Sequence, residues 1–121
     1  MSKNILIVDD DSEMVELICL ILMEEGYNVW TLTSGEMIEK TMDTFKPDLI
    51  LMDVILADLD GRELCKNLKE SAETHHIPII LISGLDELDV DKDANGGPDD
   101  FIPKPFDVDS LLQKVGNQLA A

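Results

Sequence analysis

The chain has 121 residues, of which 45% are hydrophobic, and its 26 acidic and nine basic residues give a formal net charge of −17 at pH 7. This length predicts one globular domain with a single core. The negative charge argues against nucleic-acid binding through the general surface, because phosphates are held by Lys and Arg.

The sequence also carries no sign of a membrane or export segment. No apolar stretch reaches the ~20 residues that a transmembrane helix needs, and residues 1–4 lead into a strand without the shape of a signal peptide. Cys19 and Cys65 lie in helical apolar patterns and have no CxxC spacing, which predicts free thiols. We therefore expect a cytoplasmic protein that makes no membrane contact.

Five apolar runs bounded by turn residues predict five β-strands. The run before Asp53 has no polar break, as expected for a central strand with helices on both faces. Pro78 lies near the start of its strand, where a missing N–H donor costs little. The predicted strands are residues 3–8, 27–32, 48–52, 77–82 and 99–103.

Apolar residues at helical spacing predict helices between these strands. Helices are expected over residues 14–23 and 36–45, and a third is expected to open at Gly61. Asp107 is a suitable N-cap for a last helix. Residues 85–97 are rich in aspartate and poor in apolar anchors, so any helix there is predicted to be short and marginal.

The alternation of strands and helices predicts an α/β fold with a five-stranded parallel sheet, helices on both faces and right-handed crossovers. This is a doubly wound (βα)5 arrangement. The sequence shows no internal repeat, low-complexity run or linker. We therefore expect residues 1–121 to form one domain.

Polar side chains follow the predicted strands at the edge where such folds bind ligands. Asp9 and Asp10 follow the first strand, Asp53 the third, Ser83 the fourth and Lys104 the fifth. Clustered carboxylates repel one another and raise one another's pKa unless a cation joins them. Mg²⁺ is the expected ion because it prefers oxygen ligands, and the absence of His and Cys at these ends argues against zinc.

A carboxylate in such a site can also attack phosphorus and form an aspartyl-phosphate. Phosphoryl transfer needs charge stabilisation more than an acid–base pair. Lys104 is expected to supply positive charge, and the Ser83 hydroxyl is expected to donate to a phosphoryl oxygen.

Taken together, five segments resemble the receiver domain of two-component response regulators, in the form of a single receiver like a chemotaxis regulator. The similarity runs from Lys3 to about Leu119 and implies a flavodoxin-like fold. Each segment alone is weak, but five in order at the family's spacing are specific. They are residues 5–11, 47–53, 58–61, 79–84 and 97–106.

The resemblance implies a role for each acidic residue of the site. Asp53 would be the phosphoacceptor and would also bind Mg²⁺. Asp10 would be a direct ligand, and Asp9 would bind the ion directly or through water. The backbone carbonyl of Ile55 would complete the ligands that the protein provides.

The resemblance also implies a conformational switch and partners. Ser83 would move toward the phosphoryl group while Phe101 turns inward, and the Lys104–Pro105 bond would be cis. The added charge would bias a two-state face around the fourth and fifth strands. A histidine kinase or phosphotransfer protein would donate the phosphoryl group, and the output partner stays open, as does a homodimer formed on phosphorylation. The chain would not be an enzyme beyond its own phosphorylation and dephosphorylation.

The sequence departs from the family's pattern at three places. Residues 85–97 suggest a short or partly unwound helix, and Asp91–Gly96 matches only the first half of a calcium-binding loop. Ala57 stands where the family usually has Pro. Ile55 is apolar beside the phosphoryl position and predicts a slowly decaying phosphoform, because it would hinder attacking water.

Two other functions remain open on the sequence. A phosphorylation-independent pseudo-receiver would act only as an interaction module, but it would be expected to lack the lysine or an acid. A Mg²⁺-dependent phosphohydrolase would normally carry a second acid two residues after the nucleophile, where this chain has Ile55.

Overall fold

The computed structural model of the chain describes residues 2–54, 56, 60–83, 98–104 and 106–120. Five strands and four α-helices are present in this part of the chain. The strands are β1 (Asn4–Val8), β2 (Asn28–Leu32), β3 (Leu49–Asp53), β4 (Ile79–Ser83) and β5 (Asp100–Pro103). The helices are α1 (Ser12–Glu24), α2 (Ile38–Thr44), α3 (Gly61–Glu70) and α4 (Val108–Leu119).

All five strands belong to one parallel sheet in the order β2-β1-β3-β4-β5. The predicted five-stranded parallel sheet is therefore confirmed. Because β1 and β3 are neighbours, their carboxyl ends lie side by side, with Val8 opposite Met52. Among the described strands, β5 pairs only with β4 and forms one edge of the sheet, where Ser83 lies opposite Pro103.

Helices cover both faces of this sheet, and β3 shows why its sequence has no polar break. Ile50 and Met52 point into a core formed with α2 and α3, which we call the α2–α3 core. Leu49 and Leu51 point into the opposite core with α1 and α4, the α1–α4 core. Every residue of β3 is buried, as expected for a central strand covered on both sides.

One element differs locally from the sequence-based expectation. The helix expected over residues 36–45 is divided into a 3-10 turn, Gly35–Met37, and α2. The backbone N–H of Glu36 donates to the Ser34 hydroxyl at 3.2 Å, which fixes this tight start. The predicted N-cap at Asp107 is confirmed, since its carboxylate accepts from the backbone N–H of Ser110 at 2.6 Å.

The thiol prediction also agrees with the structure. Cys19 is half-buried, Cys65 is buried, and neither forms a disulfide. Burial raises the pKa of the Cys65 thiol to about 11, which keeps it protonated and unreactive at neutral pH. Among the helices described, none is long and apolar enough to span a bilayer.

An ion pair joins α3 to the opposite, amino-terminal edge of the sheet. The Lys69 ammonium lies 2.6 Å from the Asp99 carboxylate and donates to the carbonyl of Ile77 at 2.9 Å. The same Asp99 oxygen accepts from the backbone N–H of Ile79 at 2.8 Å. The end of α3 is thereby tied to the starts of both β4 and β5.

We expect Lys69→Met to lower the free energy of unfolding by about 1–2 kcal/mol, because the carbonyl of Ile77 and the carboxylate of Asp99 would both lose their charged donor. Urea unfolding followed by circular dichroism measures the change. Lys66→Met is the matched control, since Lys66 is exposed on the same helix, and its effect should stay below about 0.5 kcal/mol. Equal destabilisation by the two substitutions would contradict a structural role for this ion pair.

Candidate functional site

Three carboxylates meet at the carboxyl edge of the sheet. Asp9, Asp10 and Asp53 each present an oxygen, and these oxygens lie within 4.8 Å of one another. Asp9 is fully buried, Asp53 is 7% exposed, and Asp10 is exposed. The structure thus brings together the acids that were expected to converge from the first and third strands.

The end of β1 divides its three consecutive acids between two tasks. The backbone N–H of Asp9 donates to the carbonyl of Leu32 at 3.0 Å, which holds this residue in line with the sheet. Asp11 instead caps α1, and its carboxylate accepts from the N–H groups of Glu13 and Met14. Asp11 also donates its own N–H to the Asp9 carboxylate at 2.9 Å. The cap leaves Asp9 and Asp10 to the cluster.

Gly61 fixes the backbone beneath Asp53, a role that the sequence analysis did not foresee. A Cβ at this position would collide with the main-chain oxygen of Asp53 and would lie 3.0 Å from Val54. The N–H of Gly61 also donates to the carbonyl of Val54 at 2.6 Å. The start of α3 therefore packs directly against the end of β3, and only glycine leaves room for this approach.

Lys104 places its ammonium group against the carboxylates. Its Nζ lies 3.2 Å from Oδ2 of Asp53 and 3.8 Å from Oδ2 of Asp9. The backbone N–H of Lys104 donates to the carbonyl of Ser83 at 2.6 Å. This bond extends the pairing of β4 with β5 beyond the last strand residue, so the lysine leaves the sheet beside the site.

Burial dominates the electrostatics of Asp9. The pKa of this carboxyl is raised from 3.8 to about 6, chiefly by burial; the Asp11 backbone hydrogen bond opposes this rise and the nearby Asp53 charge adds to it. Oδ2 of Asp9 is buried and has no hydrogen-bond partner among the described residues. Buried polar atoms in native structures normally have a partner.

The Ser83 side chain lies at the same edge. Ser83 is 1% exposed, and its hydroxyl has no hydrogen-bond partner in the part of the chain that is described. Phe101 lies opposite Leu81 on β5 and packs, half-buried, against the α2–α3 core. Ser83 and Phe101 therefore belong to neighbouring strands.

Several expectations fall on residues outside the described ranges. These are the carbonyl of Ile55 as a ligand, the effect of its side chain on the phosphoform, Ala57 in the loop, the Lys104–Pro105 peptide bond, and the helix and acidic loop over residues 85–97.

The donor set fits a hard divalent cation. Three carboxylates supply oxygen ligands, which suit Mg²⁺. A divalent cation would relieve a buried carboxylate whose pKa is raised and whose oxygen accepts no hydrogen bond from the described residues. Lys104 balances part of the negative charge.

Gly61→Ala is expected to lower the free energy of unfolding by about 2 kcal/mol, because the new methyl group must displace the backbone at Asp53. Thermal or urea unfolding measures the effect. Gly116→Ala is the control, since a Cβ there meets nothing within 4 Å, and alanine should stabilise α4 by about 0.5–1 kcal/mol. Unaltered stability in Gly61→Ala would show that the backbone at Asp53 and Val54 moves aside at little cost in free energy.

Asp9→Asn is expected to stabilise the metal-free protein at pH 7 by about 2 kcal/mol. The folded-state pKa of Asp9 lies above its ordinary value, so the contribution of this one group to stability is fully present below about pH 4 and is lost as the pH rises through about 6. Asparagine cannot ionise, so the difference between the two proteins should be small at pH 4 and largest above pH 7. Urea titrations with EDTA across this range test the prediction, and a difference that does not depend on pH would contradict it.

Comparisons with known proteins agree with this geometry. A family model described as the response regulator receiver domain matches residues 5–116. The alkaline phosphatase synthesis transcriptional regulatory protein PhoP of Bacillus subtilis is 42% identical over 107 residues, 88% of this chain and 44% of PhoP. The heme response regulator HssR of Staphylococcus epidermidis is 34% identical over 113 residues, 93% of this chain and 49% of HssR.

This chain thus spans about half the length of these relatives. Among solved structures, the signal receiver domain of a response regulator from Bermanella marisrubri superposes with a TM-score of 0.88 at 30% identity, over 98% of this chain and 99% of that one. The sheet order, the fold and the family match point to the same group of proteins. The chain belongs to the response regulator receiver domain family.

Proposed function

We propose that this chain is a phosphoacceptor switch in which Asp53 receives a phosphoryl group from a histidine kinase or a histidine phosphotransfer protein. The observation that carries the proposal is the contact between Lys104 and Asp53, 3.2 Å across the sheet edge, within a cluster of acids. A solvated acidic turn between a strand and a helix would need no lysine beside it. A carboxylate that accepts a phosphoryl group needs positive charge beside it.

The chemistry follows from these positions. A carboxylate oxygen of Asp53 forms a bond to phosphorus, while the bond from phosphorus to the donor's histidine nitrogen breaks and its electron pair leaves with the nitrogen. Negative charge is spread over the phosphoryl oxygens during this transfer. The Lys104 ammonium contacts Asp53 and can balance that charge without moving far.

Asp9, Asp10 and Asp53 would hold Mg²⁺, with the backbone carbonyl of Ile55 as a further ligand in the proposal. The bound ion supplies positive charge to the carboxylates and to the phosphoryl oxygens. The buried Oδ2 of Asp9 accepts no hydrogen bond from the described residues, which supports this assignment, since a single lysine offsets only part of the charge of three carboxylates.

The response to phosphorylation is proposed to involve Ser83 and Phe101. The buried Ser83 hydroxyl has no hydrogen-bond partner among the described residues and could donate to a phosphoryl oxygen. Phosphorylation adds nearly two negative charges. We propose that Ser83 moves toward them, that Phe101 turns inward, and that the face around β4 and β5 changes for an output partner.

The proposed setting is a phosphorelay. The relatives include transcriptional regulators about twice as long as this chain, so an output domain or protein is the expected recipient of the signal. Direct nucleic-acid binding by residues 1–121 is not proposed, because 26 acidic residues face nine basic ones. We take residues 1–121 as one receiver domain and propose a cytoplasmic location, which suits its free thiols. A homodimer formed on phosphorylation stays open within the proposal.

Incubation with Mg²⁺ and acetyl phosphate should add one phosphoryl group to the protein, because Asp53 is the nucleophile and Lys104 balances its charge. Intact-mass spectrometry measures the addition. Asp53→Asn should show none, and neither should the wild type with EDTA.

Asp43→Asn is a matched control, since Asp43 is an exposed acid on α2, outside the cluster. It should be phosphorylated like the wild type. Addition to Asp53→Asn would mean that another residue is the acceptor. If neither wild type nor control is modified by acetyl phosphate or by a histidine phosphodonor, the pseudo-receiver becomes the better description.

A further inference from the structure

Lys114 on α4 makes three contacts with two neighbouring residues of β5. Its ammonium donates to the carbonyl of Phe101 at 2.6 Å and lies 5.7 Å from the centre of the Phe101 ring. It also lies 3.8 Å from the carboxylate of Asp100. The Lys114 side chain is 29% exposed, so its charge is partly shielded from water and its contacts are less screened than those of a free surface lysine.

These contacts connect the two faces of the sheet around its outer strand, β5. Leu111 and Val115, on either side of Lys114 along α4, are buried in the α1–α4 core. The ring of Phe101 packs against the α2–α3 core on the other face. Since β5 is the edge strand, the Lys114 side chain links the two faces around this edge.

The same strand leads to the phosphoacceptor. Lys104 follows the last residue of β5, its N–H donates to the carbonyl of Ser83, and its ammonium lies 3.2 Å from Asp53. A change in charge at Asp53 therefore acts on Lys104 at one end of a four-residue strand that contains Phe101. Lys114 contacts that strand from the helix behind it.

We propose that Lys114 is the positioning residue that sets the resting orientation of the Phe101 ring, through its positive charge beside the ring and its hydrogen bond to the carbonyl. This inference rests on the proposed function, in which Phe101 reorients. Lys114 stabilises the resting orientation, so its loss shifts the population toward the reoriented state. Phosphorylation favours the reoriented state of Phe101. Phosphoryl transfer to Asp53 is therefore faster when a larger fraction of the unphosphorylated protein already has this orientation.

The contacts that require a positive charge, with the Phe101 ring and with Asp100, can be separated by substitution from the hydrogen bond to the carbonyl. Attraction to an aromatic ring requires a cation, whereas the Phe101 carbonyl accepts from any suitable donor. Lys114→Arg keeps the cation and the donor. Lys114→Gln keeps a donor without charge, and Lys114→Met keeps neither. Lys66→Met removes one exposed lysine from α3 and serves as the control for net charge.

The first experiment uses ¹⁹F NMR of the full chain labelled with 4-fluorophenylalanine, without Mg²⁺ or phosphodonor. The chain has three phenylalanines, and Phe101→Leu assigns the signal of Phe101. We expect this signal to move in Lys114→Met and in Lys114→Gln and to stay near its wild-type position in Lys114→Arg and Lys66→Met. The signal of Phe45, which contacts Trp30, should not move in any variant and so reports that the fold is intact.

The second experiment measures the rate of phosphorylation by acetyl phosphate with Mg²⁺, using intact mass. Lys114→Met and Lys114→Gln should react about two- to five-fold faster than the wild type, the range that a cation–aromatic contact of ordinary strength supports. Lys114→Arg should react at about the wild-type rate. A purely structural role for Lys114 would instead slow the reaction or leave it unchanged.

The outcomes separate this inference from the function on which it rests. An unmoved Phe101 signal in Lys114→Met overturns the inference. A Phe101 signal that keeps its wild-type position in Lys114→Gln overturns it too, because the hydrogen bond alone would then position the ring. Unchanged or slower phosphorylation of Lys114→Met overturns it as well. If the wild type accepts no phosphoryl group, the proposed function fails, whereas the ¹⁹F spectra still decide whether Lys114 positions Phe101.

Discussion

The ammonium of Lys104 is the one cation that the described structure places against the acidic cluster, 3.2 Å from Asp53 and 3.8 Å from Asp9. Two of the three carboxylates are buried, and buried like charges are unfavourable without a counter-charge. The fold has to bring that lysine to the acids. It can do so because the strands are parallel and β5 ends at the same edge as β1 and β3.

Helix α3 contacts the sheet at both the carboxyl ends and the amino ends of its strands. At the carboxyl edge, Gly61 packs against the main-chain oxygen of Asp53. At the amino edge, Lys69 is paired with Asp99 and bonded to the carbonyl of Ile77. Leu64 and Leu68 are buried between these two attachments. The position of Asp53 is therefore set by a helix that is held at both of its ends, which favours a preorganised site.

The strands and the acidic site could be predicted from the sequence because both depend on local patterns. Unbroken apolar runs mark buried parallel strands, and residues that follow such strands meet at one edge. Asp9, Asp10, Asp53 and Lys104 were located in this way, and the structure brings their charged groups together. Their roles in phosphorylation stay predictions.

Other features could not be predicted because they depend on distances between residues far apart in the chain. The close approach of Gly61 to Asp53, the pairing of Lys69 with Asp99 and the reach of Lys114 to Phe101 follow no periodic pattern. The 3-10 turn before α2 depends on one serine hydroxyl. Asp11 follows Asp9 and Asp10 directly in the sequence, and only the backbone geometry shows that it caps α1.

The distribution of burial also determines which part of the sheet can respond to a new charge at Asp53. Every residue of β3 and β4 is buried, so moving either strand would disturb the cores on both faces. β5 is a four-residue edge strand in which only Ile102 is fully buried. Moving it breaks fewer contacts, since segments with few buried neighbours open at lower free energy. Lys104 connects Asp53 to this strand, so the lysine of the site follows a lightly buried edge strand and not a central one. A switch built on this fold would therefore act through β5, and the contacts behind that strand would set how readily it moves.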